Sequence, residues 1–242
     1  MTRVHGHHHS WYSPAVGRQM HVRWFGRGGA RVLAFPTTMG NHNEWPNRRM
    51  PDVLRHQIER GWIQLWCLDH NHDASWYDKT AHPGARAWRH LQYDRYVIDE
   101  LLPFTQHVNG NGFVIGTGAS FGAFHAMSIG LRHPDRFHRL IGMSGTYDIR
   151  GMTGGYSDGN VHAANPFDFM RFEHDPARLE AFRRQDIIMV VGDGDPHYEQ
   201  NREFSGVLWE RGIGNALRVW NGHAHDWPYW EDWIVRYLPG HD

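Results

Sequence analysis

Five short runs of apolar residues recur along the chain, and each is nearly continuous rather than alternating with polar positions. Strands covered by helices on both faces have this pattern, because neither face meets water. The runs are RVLAFP (31–36), IQLWCLD (63–69), GFVIG (112–116), RLIGMSG (139–145) and IIMVVGD (187–193). Two further runs, MHVRWFG (20–26) and ALRVW (216–220), predict an early and a late strand.

The stretches between these runs carry apolar residues three or four positions apart, the spacing of one helix face. Because strands and helices alternate, the sequence predicts an α/β fold: a mostly parallel central sheet with helices on both faces. The predicted helices span residues 50–61, 90–102, 121–132 and 199–213.

The longest remaining stretch, residues 146–183, is rich in glycine and irregular at its start. Long irregular segments of compact domains commonly serve function, so we predict a loop over the functional site. No internal repeat, low-complexity tract or linker divides the chain. Residues 16–242 are therefore predicted to form one domain without a large separate lid domain.

Charge and composition narrow the class of protein. The 242 residues include 25 Lys and Arg against 26 Asp and Glu, and no basic stripe. This balance argues against nucleic acid and membrane surfaces as partners. No secretory-type apolar segment and no 18-residue apolar run are present, so we expect a soluble, cytoplasmic protein. The single cysteine, Cys67, lies in an apolar run and is predicted to be a buried structural residue.

Histidine is frequent, with 21 in the chain, and HGHHH (5–9) is a cluster that could chelate a transition metal. No acidic or sulfur ligand lies beside it. We therefore expect no metal there, and assign residues 1–15 to a mobile N-terminal segment.

A glycine-rich stretch, GTGASFGAFHA (116–126), contains the first candidate for chemistry. It places Ser120 in a Gly-x-Ser-x-Gly pattern between an apolar run and a predicted helix. This context is typical of a nucleophile elbow, whose sharp turn requires small neighbours. The alternative is a tight strand-to-helix turn without chemistry.

A serine nucleophile requires a base and a group that orients the base. Two acids, Asp193 and Asp195, follow one predicted strand, and two histidines, His223 and His225, follow the next. The order serine, acid, histidine is that of α/β-hydrolases. All these residues lie at strand carboxyl ends, where parallel sheets place their sites.

The chain resembles the putative-esterase branch of the α/β-hydrolases, which includes esterase D, feruloyl esterases and mycolyltransferases. The resemblance extends from about residue 20 to the C-terminus. Its motifs are FPTTMGNHNEW, GASFG, HPDRF, MSGTYDI, GDGD and HDWPYW.

The resemblance implies a choice between the candidates. The family histidine precedes a small or acidic residue and tryptophan, which favours His225 over His223. The family acid ends a Gly-x-x-Asp terminus, which favours Asp195 and leaves Asp193 as a turn residue.

An oxyanion hole requires two backbone N–H donors, one from the residue after the nucleophile and one from the loop after an early strand. The first is Phe121. The second lies in PTTMGNHNEW (36–45), where relatives often carry His-Gly. Pro36 has no N–H, so Thr38 or Thr37 is predicted, with Thr38 favoured; their hydroxyls could instead cap the turn.

The function expected is a serine carboxylic-ester hydrolase without metal or cofactor, acting through an acyl-enzyme on a small or carbohydrate-linked ester. The alternatives are an acyltransferase of the same fold, a non-catalytic binding domain and a metal binder acting through HGHHH. Trp76, Tyr77 and Trp227 are predicted to contact substrate, although each could instead serve loop packing. The oligomeric state stays open.

Overall fold

The computed structural model describes residues 4–240, which form one α/β domain around an eight-stranded sheet. The strand order is β1-β2-β4-β3-β5-β6-β7-β8, antiparallel at the β1–β2–β4 end and parallel from β4 through β3 to β8. The strands are β1 (Gly6–Ser13), β2 (Arg18–Phe25), β3 (Ala30–Phe35), β4 (Ile63–Leu68), β5 (Val114–Ala119), β6 (Arg139–Met143), β7 (Asp186–Gly192) and β8 (Ala216–Trp220). The predicted fold class and all seven predicted strands are confirmed.

Helices cover both faces of the sheet, as predicted. They are α1 (Glu44–Asn47), α2 (Met50–Val53), α3 (Arg55–Glu59), α4 (Pro83–Arg95), α5 (Leu102–Val108), α6 (Phe121–Arg132), α7 (Arg150–Thr153), α8 (Gly159–Ala164), α9 (Pro166–Arg171), α10 (Pro176–Arg183), α11 (Tyr198–Glu210) and α12 (Trp227–Tyr237). One apolar layer contains Tyr93 of α4, Met127 of α6 and Phe204 of α11. The opposite layer contains Trp45 of α1 and Trp233 of α12, together with the buried Cys67. Burial raises the pKa of the Cys67 thiol, which keeps it neutral.

The boundary predicted after residue 15 is wrong, because Gly6–Ser13 is a full strand of the sheet. It pairs with β2 over eight residues. Trp11 Nε1 and Ser13 Oγ donate to the two oxygens of Glu100, each at 2.8 Å. This edge strand is mostly polar, with His7, His8, His9 and Ser10 in succession, so it lacks the continuous apolar run of an internal strand.

Two predicted helices have different bounds. Residues 50–61 contain the two short helices α2 and α3, which meet at Leu54. Residues 90–102 belong to a longer helical segment that begins at Pro83, passes through a π-helical turn at Tyr96–Leu101 and continues as α5. The His82 side chain accepts a hydrogen bond from the Gly84 N–H and caps its start.

The segment 146–183 is not a continuous irregular loop, because it folds into α7 to α10. Each has only four to eight residues, too few for a clear helical period in the sequence. Helix α8 packs on α4, and its Val161 and Ala164 share an apolar cluster with Phe121. The segment therefore supports the start of α6 from behind.

No helix among residues 4–240 combines the length and the apolar character needed to cross a lipid bilayer.

Candidate active site

The predicted site residues follow four parallel strands and therefore lie along one edge of the sheet. Thr38 follows β3, Ser120 follows β5, Asp195 follows β7 and His225 follows β8. The parallel strands β3, β5, β6, β7 and β8 are consecutive neighbours. Their carboxyl ends meet at the same edge, which is where ligands bind in open α/β sheets.

Ser120 occupies a strained turn between β5 and α6. Its backbone angles are φ 53° and ψ −120°, outside the regions that residues with a Cβ readily adopt. The Ser120 N–H donates to the Met143 carbonyl oxygen at 2.8 Å, which anchors the turn to β6. The side chain is partly exposed. These features are those of a nucleophile elbow.

The glycines around Ser120 allow two close backbone approaches. A Cβ on Gly118 would lie 2.3 Å from the Gly122 carbonyl carbon, and one on Gly122 would lie 2.4 Å from the Phe35 carbonyl oxygen. Alanine at either position would collide with backbone. Gly122 thus lets the start of α6 approach the loop that follows β3.

Asp195 and His225 are joined directly. His225 Nδ1 lies 2.9 Å from Asp195 Oδ2, and the His197 N–H donates to Asp195 Oδ1 at 2.8 Å. Burial alone would raise the pKa of the Asp195 carboxyl, but hydrogen bonds from His225, His197 and Ser144 outweigh it and lower the pKa. An ionised carboxylate only accepts hydrogen bonds, so Nδ1 of His225 carries the proton and Nε2 is left as the acceptor.

The Ser120 hydroxyl has no hydrogen-bond partner among residues 4–240. The structure therefore joins the predicted acid to the predicted base, and places the predicted nucleophile along the same edge without a direct bond to them.

The two competing candidates, His223 and Asp193, connect neighbouring turns. Asp193 Oδ1 accepts the Gly222 N–H at 2.7 Å, and His223 Nδ1 lies 3.1 Å from the Gly194 carbonyl oxygen. Both side chains are exposed. Asp193 is thus a turn residue that satisfies a backbone donor.

The two threonines after β3 differ in what their N–H groups contact. The Thr37 N–H donates to Glu44 Oε2 at 2.8 Å, and its hydroxyl donates to Glu44 Oε1. Thr37 is therefore already engaged, which counts against it as an oxyanion donor. In the part of the chain that the structure describes, the N–H groups of Thr38 and Phe121 have no acceptor.

A pair of buried histidines supports this loop and was missed by sequence reasoning. The N–H of Met39, whose φ is 58°, donates to His72 Nδ1 at 3.0 Å, and His72 Nε2 lies 2.8 Å from His125 Nε2. Burial lowers the pKa of both imidazoles well below the usual value, so both are neutral. Because Nδ1 of His72 accepts, its Nε2 donates to His125 in α6.

The signal available for these histidines was weak. His72 follows β4 and His125 lies one turn into the helix that begins at Phe121. Their contact joins residues 53 positions apart, which no local pattern indicates.

Of the three predicted substrate contacts, two are corrected. Trp76 is fully buried against Phe124, and Trp227 is 7% exposed and packs edge-on against Trp45. Both stabilise the core because their large apolar rings gain more by burial than by exposure. Tyr77 is half-buried; its hydroxyl lies 2.9 Å from Thr38 Oγ1, and its ring meets Phe121 edge-on. Tyr77 therefore contacts the side chains of both residues whose N–H groups are unpaired.

The comparisons with known proteins agree with the fold and the resemblance. The sequence profile of the family described as "Putative esterase" matches residues 67–241, more than half of the chain. No curated protein sequence matches significantly.

Similar solved structures include a ferulic acid esterase, at 18% identity and a TM-score of 0.76 over 98% of each chain. An S-formylglutathione hydrolase from Agrobacterium tumefaciens has 16% identity and a TM-score of 0.75, over 97% of this chain and 93% of that one. MPT51 (FbpC1) from Mycobacterium tuberculosis has 16% identity and a TM-score of 0.66, over 94% and 96%. At these identities the likeness shows the shared fold.

Proposed function

The chain belongs to the putative esterase family, and from that premise we propose that it is a serine esterase in which Ser120, His225 and Asp195 act together. Family membership indicates a carboxylic-ester hydrolase or a related acyltransferase. The observation that carries the finer proposal is the 2.9 Å contact between His225 and the buried Asp195, on the edge that also carries the strained Ser120.

In the first step, Ser120 Oγ attacks the ester carbonyl carbon while His225 Nε2 accepts the hydroxyl proton. The new Oγ–C bond forms, and the carbonyl electron pair moves onto oxygen. Asp195 holds Nδ1–H and stabilises the imidazolium that forms. Collapse of the intermediate breaks the ester C–O bond, and the imidazolium returns its proton to the departing alcohol.

The negative charge that develops on the carbonyl oxygen is stabilised by the N–H groups of Thr38 and Phe121. Donors aimed at this oxygen contribute most when they are already in place. His72 is a positioning residue here, because it holds the N–H of Met39 and thereby the backbone beside Thr38.

A water molecule then attacks the acyl carbonyl carbon while His225 Nε2 accepts its proton. The bond to Ser120 Oγ breaks, the imidazolium returns the proton to Oγ, and the acid is released. Two observations support a small or aromatic-linked ester as substrate: Tyr77 contacts Thr38, and similar folds belong to a ferulic acid esterase and an S-formylglutathione hydrolase. A carbohydrate-linked ester is a further candidate substrate, because aromatic side chains such as Tyr77 stack on sugars.

The proposal is tested by assaying a panel of p-nitrophenyl and feruloyl esters with wild type and Ser120→Ala. We expect the alanine variant to retain the folded state and to lose at least about 10³-fold in kcat/KM. Ser157→Ala is the matched control, because Ser157 is exposed and lies outside the proposed machinery. Turnover by Ser120→Ala equal to that of the control would refute the proposal, whereas dominant ester exchange with an added alcohol or sugar would replace hydrolysis by acyl transfer.

A further inference from the structure

Three histidines from different elements meet at the antiparallel end of the sheet. His8 lies in β1, His21 in β2 and His42 in the loop between β3 and α1. Each offers a nitrogen within 4.8 Å of those of the other two. His8 Nε2 and His21 Nδ1 are 3.3 Å apart, and the ring centroids of His21 and His42 are 4.9 Å apart.

Strand register explains why only one histidine of HGHHH reaches this group. Ser10 is opposite His21, so His8 lies diagonally across from His21 on the same face. His7 and His9 point to the other face, where their rings stack on Trp24 and Phe104. Side chains alternate along a strand, which separates His8 from its neighbours.

A carboxylate orients the group from behind. Asp69 Oδ1 lies 3.8 Å from His42 Nδ1, and Asp69 Oδ2 accepts a hydrogen bond from the backbone N–H of His21 at 3.2 Å. Asp69 itself is buried at the end of β4. A metal-binding imidazole usually donates its other ring N–H to such a carboxylate. The 3.8 Å separation is longer than a hydrogen bond, so Asp69 must move closer to His42 Nδ1 to give this support when an ion binds.

We propose that His8, His21 and His42 bind one divalent transition-metal ion of the zinc class. Two nitrogens bound to tetrahedral zinc lie about 3.3 Å from each other, since each lies about 2.0–2.1 Å from the ion. The observed His8–His21 separation of 3.3 Å matches this value without movement. His42 Nε2 must exchange its 3.0 Å contact with Asn43 Nδ2 for the ion. Three imidazoles suit Zn²⁺, Ni²⁺ or Cu²⁺ and leave one position for water.

Such an ion would tie the two edge strands to the loop that carries Thr38. His42 lies in that same loop, four residues after Thr38. The inference does not rest on the proposed esterase activity, because the ligands and their support lie on other strands than Ser120 and His225.

The test uses the metal-stripped full chain, titrated with Zn²⁺ by calorimetry and with Co²⁺ by visible absorption. We expect one ion per chain, a nitrogen-rich Co²⁺ spectrum and a higher Tm with Zn²⁺. His21→Gln and His42→Gln should each abolish stoichiometric binding. Asp69→Asn should weaken binding about 10- to 100-fold, the usual cost of losing such a support.

His7→Gln and His9→Gln are the matched controls, because they remove histidines of the same cluster that face away. Both variants should bind one Zn²⁺ per chain with the affinity of wild type. The Tm of each metal-free variant shows whether it is folded. Absence of stoichiometric binding in folded wild type, binding that survives His42→Gln, or binding that is lost in His7→Gln and His9→Gln would overturn the proposal.

Discussion

At the β7–β8 end of the functional edge, Asp195 and His225 are joined directly: both Asp195 oxygens accept hydrogen bonds, one of them from His225 Nδ1. At the β3–β5 end, Thr38 and Phe121 present N–H groups that have no acceptor within residues 4–240. The first region is closed by its own contacts, whereas the second is open to a ligand.

The difference follows from the chemistry that each region is proposed to perform. A base must keep one tautomer and one orientation through every step, so its partner is permanent. Groups that stabilise a transient charge must be free until that charge develops, so the protein holds their backbone but leaves the donors unpaired. Backbone strain does not separate the two regions, because Ser120 and Met39 in the open region and Ala224 beside His225 in the closed region all have positive φ.

The largest effect is expected from breaking the closed region. Asp195→Asn keeps the size of the side chain but offers an amide where His225 Nδ1–H requires an acceptor. The imidazole would then favour the wrong tautomer, and kcat should fall on the order of 10³- to 10⁴-fold. The fall in kcat is measured by steady-state kinetics of wild type and Asp195→Asn on the ester panel.

Asp193→Asn is the control for that variant, since Asp193 is exposed and, within residues 4–240, its carboxylate accepts a hydrogen bond only from the Gly222 N–H. Similar losses in the two variants would mean that the acid has been assigned to the wrong residue.

An intermediate effect is expected from the open region. Thr38→Pro removes the proposed N–H donor and should lower kcat about 10²- to 10³-fold. Thr38→Ala keeps the N–H and loses only the hydroxyl, so it should stay within about 10-fold of wild type. Equal losses in the two variants, at unchanged Tm, would assign the role to the Thr38 hydroxyl and contradict the backbone donor.

A smaller effect is expected from the support of the open region. His72→Phe removes the acceptor for the Met39 N–H and should lower kcat about 10-fold while KM changes less, because the donor is displaced but not lost. His72→Asn, whose Oδ1 can replace Nδ1, should recover part of kcat. A change confined to Tm, with kcat equal in both variants, would leave His72 a purely structural role.

The smallest effect concerns stability and its pH dependence in the closed region. The pKa of Asp195 is lowered in the folded state, so the charged carboxylate adds stability above the unfolded carboxyl pKa of about 3.9. That contribution is lost as the pH falls through the lower, folded value. Urea unfolding of wild type and Asp195→Asn should therefore differ by about 1–3 kcal/mol at pH 6, and the difference should shrink below pH 4. A constant difference from pH 3 to 6 would contradict the lowered pKa.

The sequence predicts most of this fold because internal strands are nearly continuous apolar runs and the longer helices carry apolar residues on one face. The edge strand β1 is not predicted, because a polar stretch such as HGHHH is compatible both with a mobile terminus and with an edge strand. Short helices such as α7 carry too few turns for a period to emerge.

For the candidate site, elbow context and chain order indicate Ser120 with two acids and two histidines, the family resemblance favours Asp195 and His225 among them, and the structure joins these two. The sequence does not show which way the side chains of adjacent loop residues point. Trp76 and Tyr77 are adjacent, yet one is buried and the other reaches Thr38. Thr37 and Thr38 are adjacent too, yet Glu44 engages the N–H and hydroxyl of Thr37, whereas the Thr38 hydroxyl contacts Tyr77.

The most direct test of the central claim is covalent labelling with a fluorophosphonate, read by intact mass and peptide mapping. If Ser120 is a nucleophile activated by His225, wild type should gain one adduct, on Ser120, and His225→Gln should gain it at least about 10²-fold more slowly. An adduct on another residue, or a Ser120 labelled equally fast in wild type and His225→Gln, would contradict the account.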